Sequence, residues 1–269
     1  RSLTQRAEAG AGRWGWRGSP PGNTSSSATA TSASDSGDGA DGDAGLLGHD
    51  DAPVLGIFGG TFDPIHFGHL RPALELYEGL GLDEVRMLPA ARPPHRGTPG
   101  ADAADRLAML RLALEGQDEL VIDERELQRP GPSYMVDTLA SLREEVGERP
   151  LCLLIGTDAF IGLASWHRWR ELLGLAHIVV AHRPGWMVSR EGLEPELAEL
   201  LKARRVTDVD VVGAQPAGGI LFQAVSQLEI SATYLREEVR RGRSPRYLLP
   251  AAVADYIRDM GLYRDGGGT

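Results

Sequence analysis

The chain contains very few of the residues that define several classes of protein. Cys152 is its only cysteine, so neither an intrachain disulfide nor a cysteine-based zinc cluster can form. Lys202 is its only lysine, so every other basic residue is an arginine. No apolar run approaches the roughly 18 residues that a membrane-spanning helix needs. The sequence therefore excludes a disulfide-stapled scaffold and a helical membrane protein.

Positive charge is also scarce in this chain of 269 residues. The formal net charge is −10 and the isoelectric point is about 5.2, which disfavours non-specific binding to DNA or to anionic membranes. A chain of this length is able to bury a large core, in one domain or in two. If such an acidic protein binds phosphates, it must gather its positive charge locally, beside glycine-rich or histidine-rich loops.

Residues 1–52 differ in composition from the rest of the chain. They are rich in Ser, Thr, Ala, Gly and Asp, and Leu3 is the only aliphatic residue larger than alanine before Leu46. Such a composition does not offset the entropy lost on ordering. We expect a disordered low-complexity tail over 1–52 and one folded domain over 53–265. The first 34 residues weakly resemble a transit peptide, although we favour an extension without a fold.

From residue 54 onward, strand and helix patterns alternate. The predicted strands cover 54–58, 84–88, 120–123, 151–155, 176–181 and 220–225, and the predicted helices cover 67–78, 102–115, 133–146, a segment that opens at 231, and 250–260. This alternation predicts an α/β fold, a Rossmann-like doubly wound parallel sheet with helices on both faces. Ligands bind such sheets beyond the carboxyl ends of the strands.

Residues 56–69 carry the strongest functional signal. An apolar strand leads into the Gly59-Gly60 turn, then Asp63-Pro64, then a helix that opens with His66 and His69. The glycines allow a ligand to approach the backbone closely, and the histidines share one face of the first helical turn. Unpaired amides and the helix dipole favour an anion there, most plausibly a phosphate. The alternative, glycines that merely turn the chain and two structural histidines, does not account for this order of residues.

A second candidate site lies near the end of the chain. Ser231 follows a predicted strand and is placed to cap a helix. Position 234 is tyrosine, so the reciprocal capping box is absent and the helix start is left to an external anion. Thr233 and Arg236 share one face of that helix, where the guanidinium would offer its planar fork to phosphates. Taken alone, a purely structural cap is an equal alternative.

Together, the two motifs resemble the nucleotidyltransferase superfamily. They read GGTFDPIHFGH over 59–69 and ISATYLR over 230–236. More narrowly, the chain is similar to the bacterial nicotinate-nucleotide adenylyltransferases over residues 54–264. Five further stretches support the narrower resemblance: residues 93–96, 123–127, 132–134, 155–158 and 261–264.

The resemblance implies both an activity and a mechanism. This family transfers the adenylyl group of ATP to nicotinate mononucleotide, a step of NAD biosynthesis that releases pyrophosphate and gives nicotinate adenine dinucleotide. It implies in-line attack of the mononucleotide phosphate on the α-phosphorus, with Mg2+ brought in on ATP and no metal site on the protein. It also implies a cytoplasmic enzyme without nucleic-acid or membrane partners, and leaves a homo-oligomer open.

The resemblance further implies two sets of binding residues. Those for ATP are Gly59, Gly60, Thr61, Phe62, His66, His69, Arg96, Gly156, Asp158, Ser231, Thr233 and Arg236, of which His66, His69 and Arg236 would be catalytic. Those for the mononucleotide are Ser133, Tyr134, Met135 and Trp166. In the mononucleotide set, the backbone amides of Tyr134 and Met135 would donate to the nicotinate carboxylate, and Trp166 would stack on the pyridine ring. The family usually has threonine at the position of Met135, which leaves the choice between acid and amide substrates open.

Three rival functions remain open from the sequence. The chain could transfer the adenylyl group to another phosphate such as phosphopantetheine, because relatives share the Ser-x-Thr-x-x-Arg helix. It could be a non-catalytic nucleotide sensor, although a sensor has no need of His66, His69 and Arg236. Residues 1–52 could also make it an interaction protein.

Several other residues are predicted to be structural. Trp169 is expected in the core, and His177 and His182 are expected to be hydrogen-bonded structural histidines. Ser133 is predicted to be the N-cap of the helix over 133–146. The acidic run at 123–126 is predicted to be a solvated face.

Overall fold

The structure, a computed structural model, describes residues 53–93, 98–185 and 192–264. The predictions for the tail and for Arg96 fall outside these residues. Within the described ranges, no helix combines the length and the apolarity needed to cross a bilayer.

The described residues contain one sheet of seven parallel strands. The strands are β1 (Leu55–Gly60), β2 (Glu84–Pro89), β3 (Leu120–Ile122), β4 (Leu151–Gly156), β5 (His177–His182), β6 (Arg205–Val206) and β7 (Ile220–Ala224). Their order across the sheet is β3-β2-β1-β4-β5-β7-β6, and every pairing is parallel. The predicted Rossmann-like α/β fold is confirmed. All six predicted strands form, and the two-residue edge strand β6 is the one that the pattern did not reveal.

Helices connect the strands. They are α1 (Phe67–Leu80), α2 (Ala103–Ala113), α3 (Arg125–Gln128), α4 (Met135–Val146), α5 (Thr157–Ile161), α6 (Leu172–Leu175), α7 (Pro195–Arg204), α8 (Asp210–Gly213), α9 (Ala232–Arg240) and α10 (Ala251–Asp259). The five predicted helices are present, with ends shifted by a few residues. The sequence pattern did not predict α7. It also did not predict the single-turn helices α3, α5, α6 and α8, because a helix of one turn is too short to display a helical period.

Alternate side chains of the central strand β4 enter two apolar cores. Leu151, Leu153 and Ile155 pack on the core that contains α4, whereas Cys152 and Leu154 join the core that contains α1 and α10. Because helices cover both faces of the sheet, β4 is apolar at nearly every position instead of alternating.

The sheet reverses its strand order beside β1. The chain runs from β1 outward to β2 and β3, and then returns to place β4 on the other side of β1. Connections that leave β1 and β4 therefore diverge and open a crevice at the carboxyl ends of these strands. β1 ends at Gly60 and β4 ends at Gly156. The predicted ATP-binding glycines Gly59, Gly60 and Gly156 thus lie at this topological switch point.

Side chains cap the starts of two helices, and the predicted Ser231 cap is confirmed. The Asp102 carboxylate accepts a hydrogen bond from the Asp105 amide at 2.8 Å and caps α2. The Ser231 hydroxyl oxygen accepts from the Tyr234 amide at 3.1 Å and caps α9. Each bond satisfies one of the amides that a helix start leaves unpaired.

The prediction that Ser133 caps a helix is wrong. Helix α4 begins two residues later, at Met135. The Ser133 hydroxyl oxygen instead accepts hydrogen bonds from the amides of Ala91 at 3.0 Å and Arg92 at 3.2 Å. The side chain thus joins the segment before α4 to the loop that follows β2, a contact between segments about forty residues apart.

Candidate active site

An open cleft of about 850 Å3 lies at the carboxyl ends of β1 and β4. Thirteen of the predicted site residues line it: Gly59, Gly60, Thr61, Phe62, His69, Ser133, Tyr134, Met135, Gly156, Asp158, Trp166, Thr233 and Arg236. The others are Arg96, which lies outside the described residues, and His66 and Ser231, which are not among the lining residues. The cleft thus combines the predicted ATP-binding and mononucleotide-binding sets.

The prediction of a turn at Gly59-Gly60 is wrong, because both glycines belong to β1 and pair with β2. Neighbouring side chains nevertheless pack directly on their backbone. A Cβ at Gly60 would lie 2.6 Å from the ring of Phe62, and a Cβ at Gly59 would lie 2.7 Å from the terminal methyl of Met135. Phe62 itself has φ of 49°, in the left-handed region. At Gly60 the neighbour is an aromatic ring buried in the core, so a side chain there would displace the whole loop.

A third glycine brings the two helix starts together. A Cβ at Gly68 would lie 3.1 Å from the backbone oxygen of Ile230, the residue before Ser231. The first turn of α1 therefore approaches the start of α9, although the two are more than 160 residues apart in sequence. As a result, His69 and Arg236 line the same cleft, as the sequence predicted.

The two helix starts differ in what they offer to an anion. In α1, the Phe67 amide donates to the Leu248 carbonyl at 3.1 Å, so the expectation of an unpaired first turn is not fully met. In α9, Ala232 and Thr233 lie in the first turn, ahead of the first intrahelical bond, which Leu235 donates. Both residues line the cleft. α9 is therefore the better placed of the two to bind phosphate oxygens through backbone amides.

His66 and His69 form a stacked pair with ring centroids 3.8 Å apart. The ring of Phe62 meets His69 edge-on at 5.3 Å. His66 is 3% exposed, and burial lowers its pKa to about 4, so it is neutral near pH 7. Of the two histidines, His69 is the one among the residues that line the cleft. Direct contact of His66 with phosphate stays a prediction.

Asp63 organises the region around Arg236. Its buried carboxylate accepts hydrogen bonds from the amides of Gly100 at 2.7 Å and Ala101 at 3.0 Å, and from the Tyr263 hydroxyl at 2.8 Å. The Arg236 guanidinium donates to the backbone oxygen of Asp63 at 2.7 Å and lies 3.5 Å from its carboxylate. Burial, followed by the Asp63 charge, raises the pKa of Tyr263, which stays a donor. Sequence reasoning treated Asp63 only as a residue that punctuates a loop.

Sequence reasoning also missed Arg106. Its side chain is 1% exposed and donates to the backbone oxygens of Thr61 at 2.8 Å and Ala90 at 2.7 Å. Burial lowers its pKa, and the nearby Asp63 charge opposes that shift. This arginine connects the loops after β1 and β2 and places a cation behind the cleft. Arg106 lies on the same face of α2 as the buried residues Met109 and Leu110. That position was the sequence signal that its side chain is buried.

The other end of the cleft is aromatic. The ring of Tyr134 stacks on His167 at 4.1 Å, and Trp166 lines the same wall. The Tyr134 amide donates to the Pro132 carbonyl at 3.1 Å. Of the two amides predicted to meet a carboxylate, that of Met135, at the first position of α4, is thus the one left for a ligand.

The outcome for the residues predicted to be structural is mixed. Trp169 is 5% exposed in the core, and buried His177 donates to the Gln215 carbonyl at 2.8 Å, so both predictions are confirmed. The prediction of a solvated acidic run is wrong at Glu126, which is 3% exposed and lines the cleft. The Thr138 hydroxyl donates to its carboxylate at 2.7 Å, which offsets part of the cost of burial.

Known proteins resemble this chain in sequence and in fold. A family model described as cytidylyltransferase-like matches residues 57–238. A probable nicotinate-nucleotide adenylyltransferase of Methylococcus capsulatus is 51% identical over 211 residues, which cover 78% of this chain and 99% of that protein. One from Aeromonas salmonicida is 49% identical over 213 residues, covering 79% and 98%. A solved structure of Plasmodium falciparum nicotinic acid mononucleotide adenylyltransferase complexed with NaAD, 14% identical, has a TM-score of 0.60 and covers 78% of this chain and 97% of its own.

The lowered pKa of His66 predicts a pH dependence of stability. The unfolded chain, with a histidine pKa of 6.5, takes up the proton before the folded chain does, so stability is lost as the pH falls from 6.5 towards 4. Between about pH 7.5 and about pH 5, the wild type should lose about 2 kcal/mol of unfolding free energy relative to His66→Asn. Denaturant titrations of both proteins measure the difference, since other groups titrate in both. A difference in unfolding free energy between the two proteins that does not change with pH would contradict the lowered pKa of His66.

Proposed function

The chain belongs to the cytidylyltransferase-like family and, within it, to the nicotinate-nucleotide adenylyltransferases, and we infer that the cleft described above is its active site. The protein is an enzyme that transfers the adenylyl group of ATP to nicotinate mononucleotide, giving nicotinate adenine dinucleotide and pyrophosphate. One observation supports this location above others: His69 and Arg236, on two distant helix starts, line one cleft at the switch point of the sheet.

We propose that the reaction is a direct in-line displacement. The phosphate of the mononucleotide attacks the α-phosphorus of ATP, the new P–O bond forms, and the bond to pyrophosphate breaks. Because the nucleophile is already an anion, the protein needs no general base. Alignment of the reacting groups and stabilisation of charge then account for the catalysis.

The proposed triphosphate site lies between the two helix starts. The backbone at Gly59 and Gly60 approaches the phosphates, and His69 donates to the α-phosphate. On the other side, Thr233 and Arg236 of α9 bind the β- and γ-phosphates, with Ser231 holding the helix start in shape. The Thr233 hydroxyl oxygen accepts a hydrogen bond from Arg236 at 3.3 Å, which leaves its own proton to donate to a phosphate oxygen.

The proposed adenosine site lies at the carboxyl end of β4, and the proposed nicotinate site lies at the start of α4. Asp158, just after β4, accepts a hydrogen bond from a ribose hydroxyl, and Gly156 leaves room beside it. The Met135 amide donates to the nicotinate carboxylate, and Trp166 stacks on the pyridine ring. Met135 supplies a backbone donor but no side-chain hydroxyl, so the preference for the acid depends on the backbone.

The metal in this proposal is Mg2+ carried by ATP. The described residues contain no group of three or more His, Cys, Asp or Glu side chains that is able to hold a metal ion. We propose that this ion is held mainly by phosphate oxygens and water, as Mg2+ commonly is. When bound, such an ion neutralises charge on the phosphates, and the residues above orient them. A cytoplasmic site of action is part of the same proposal.

Side-by-side turnover of three substrates tests the proposed function. With ATP and Mg2+, we expect pyrophosphate and a dinucleotide from nicotinate mononucleotide, less from its amide analogue, and none from phosphopantetheine. The acid is favoured because its carboxylate accepts from the Met135 amide, whereas the amide group also presents donors. For each substrate, a coupled assay measures the rate of pyrophosphate release, and chromatography measures the rate of dinucleotide formation. ATP binding without turnover of any pyridine mononucleotide would instead indicate a nucleotide sensor.

His69→Ala tests the proposed donor to the α-phosphate. We expect kcat to fall by roughly 10²–10³-fold, the usual loss for one preorganised donor. The thermal unfolding midpoint serves as the control, because His69 faces an open cleft and its loss should disturb the fold little. An unchanged kcat in a folded variant would remove His69 from the mechanism.

Arg236→Lys tests the planar fork at the start of α9. Lysine keeps the charge but loses the bond to the Asp63 carbonyl and the two-pronged contact to phosphate. We expect kcat/KM for ATP to fall by about tenfold or more. Arg240→Lys, one turn further along α9 and paired with Glu237, is the matched control and should retain wild-type kinetics. Equal kinetics in the two variants would argue against bidentate contact by Arg236.

A further inference from the structure

The mechanism leaves one buried ionisable group of the cleft without a role. Glu126 lies in the short helix α3, is 3% exposed, and is among the residues that line the cleft. Burial of a carboxylate is costly unless hydrogen bonds or a counter-charge compensate for it. The contacts that compensate here therefore indicate what the side chain does.

Two hydroxyl groups donate to the Glu126 carboxylate. Thr138, in the first turns of α4, donates at 2.7 Å, and the hydroxyl of Ser133 donates from the segment before α4. Ser133 in turn accepts from the amides of Ala91 and Arg92 and donates its own amide to the Arg92 carbonyl at 3.1 Å. One carboxylate thus connects α3, the start of α4 and the loop after β2.

Arg129 completes this arrangement. Its guanidinium donates to the Thr138 hydroxyl oxygen at 3.0 Å and approaches the Tyr134 carbonyl at 3.4 Å. The pKa of Glu126 is raised by burial, while the two hydroxyls and the Arg129 charge oppose that shift. All these bonds converge on residues 133–138, the segment that carries the Met135 amide.

We propose that Glu126 is a positioning residue that fixes the backbone of Ser133–Met135, so that the Met135 amide points at the carboxylate of the mononucleotide. The proposal rests on the proposed function. Glu126 acts through Ser133 and Thr138, because its own negative charge would repel an anionic substrate. The ATP side of the cleft depends instead on Asp63 and Arg236 and should be insensitive to Glu126.

The test compares two Michaelis constants and a binding constant in the full-length protein. In Glu126→Ala, we expect KM for nicotinate mononucleotide to rise about ten- to a hundredfold, while KM for ATP stays within about twofold. The Kd for the mononucleotide without ATP should rise in parallel with its KM. Glu126→Gln keeps an acceptor oxygen for the Thr138 hydroxyl, so it should fall between Glu126→Ala and the wild type. Glu124→Ala, two residues earlier and paired with Arg111, is the control and should match the wild type.

A second substitution separates positioning from general stability. Thr138→Val removes one hydroxyl at constant shape and should raise KM for the mononucleotide, whereas Thr138→Ser should restore it. If the KM values for both substrates rise together with a lowered unfolding midpoint, or if neither KM changes, the positioning role is refuted. If the wild type neither binds nor turns over the mononucleotide, the proposed function itself fails, an outcome seen without any variant.

Discussion

The site depends on one buried carboxylate, that of Asp63. A buried charge is tolerated only where hydrogen bonds replace its lost hydration, and here two amides and a phenol do so. These donors come from Gly100, Ala101 and Tyr263, and Arg236 lies beside them. The loop after β1, the segment before α2, the C-terminal segment and α9 are thus held by one group. The position of the Arg236 guanidinium in the cleft follows from this contact and not from α9 alone.

The sequence predicted those parts of the fold and the site that are local. The central strands were predictable because both of their faces are buried, and the start of α9 because Ser231 caps it through its own helix. Ser133 and Arg106 were misjudged or missed because each bonds to a segment remote in sequence, and Glu126 because its partner Thr138 lies in a different helix. The Arg106 bond to the Thr61 carbonyl, for example, spans 45 residues. Neither hydrophobic periodicity nor a capping rule predicts such a contact, so the roles of these residues become visible only in the three-dimensional structure.

The histidine pair shows how motif residues of one type take different physical roles. Two imidazolium rings with centroids 3.8 Å apart would repel each other. Burial keeps His66 neutral near pH 7, so the stacked pair does not carry two positive charges. His66 supports the ring of its neighbour, as Phe62 does from the edge. The spacing of the motif is therefore explained by a stack as well as by a shared helix face.

Under the proposed function, a protein of formal charge −10 must attract a triphosphate to this cleft. Backbone amides at the start of α9 carry partial positive charge without adding to the net charge. Arg106 is held behind the loop by carbonyl oxygens, which leave its formal charge intact, whereas Asp63 offsets part of the charge of Arg236. Because Asp63 accepts from other donors as well, it orients Arg236 without fully neutralising it. Fixed dipoles and two oriented guanidinium groups thus concentrate the attraction at one place.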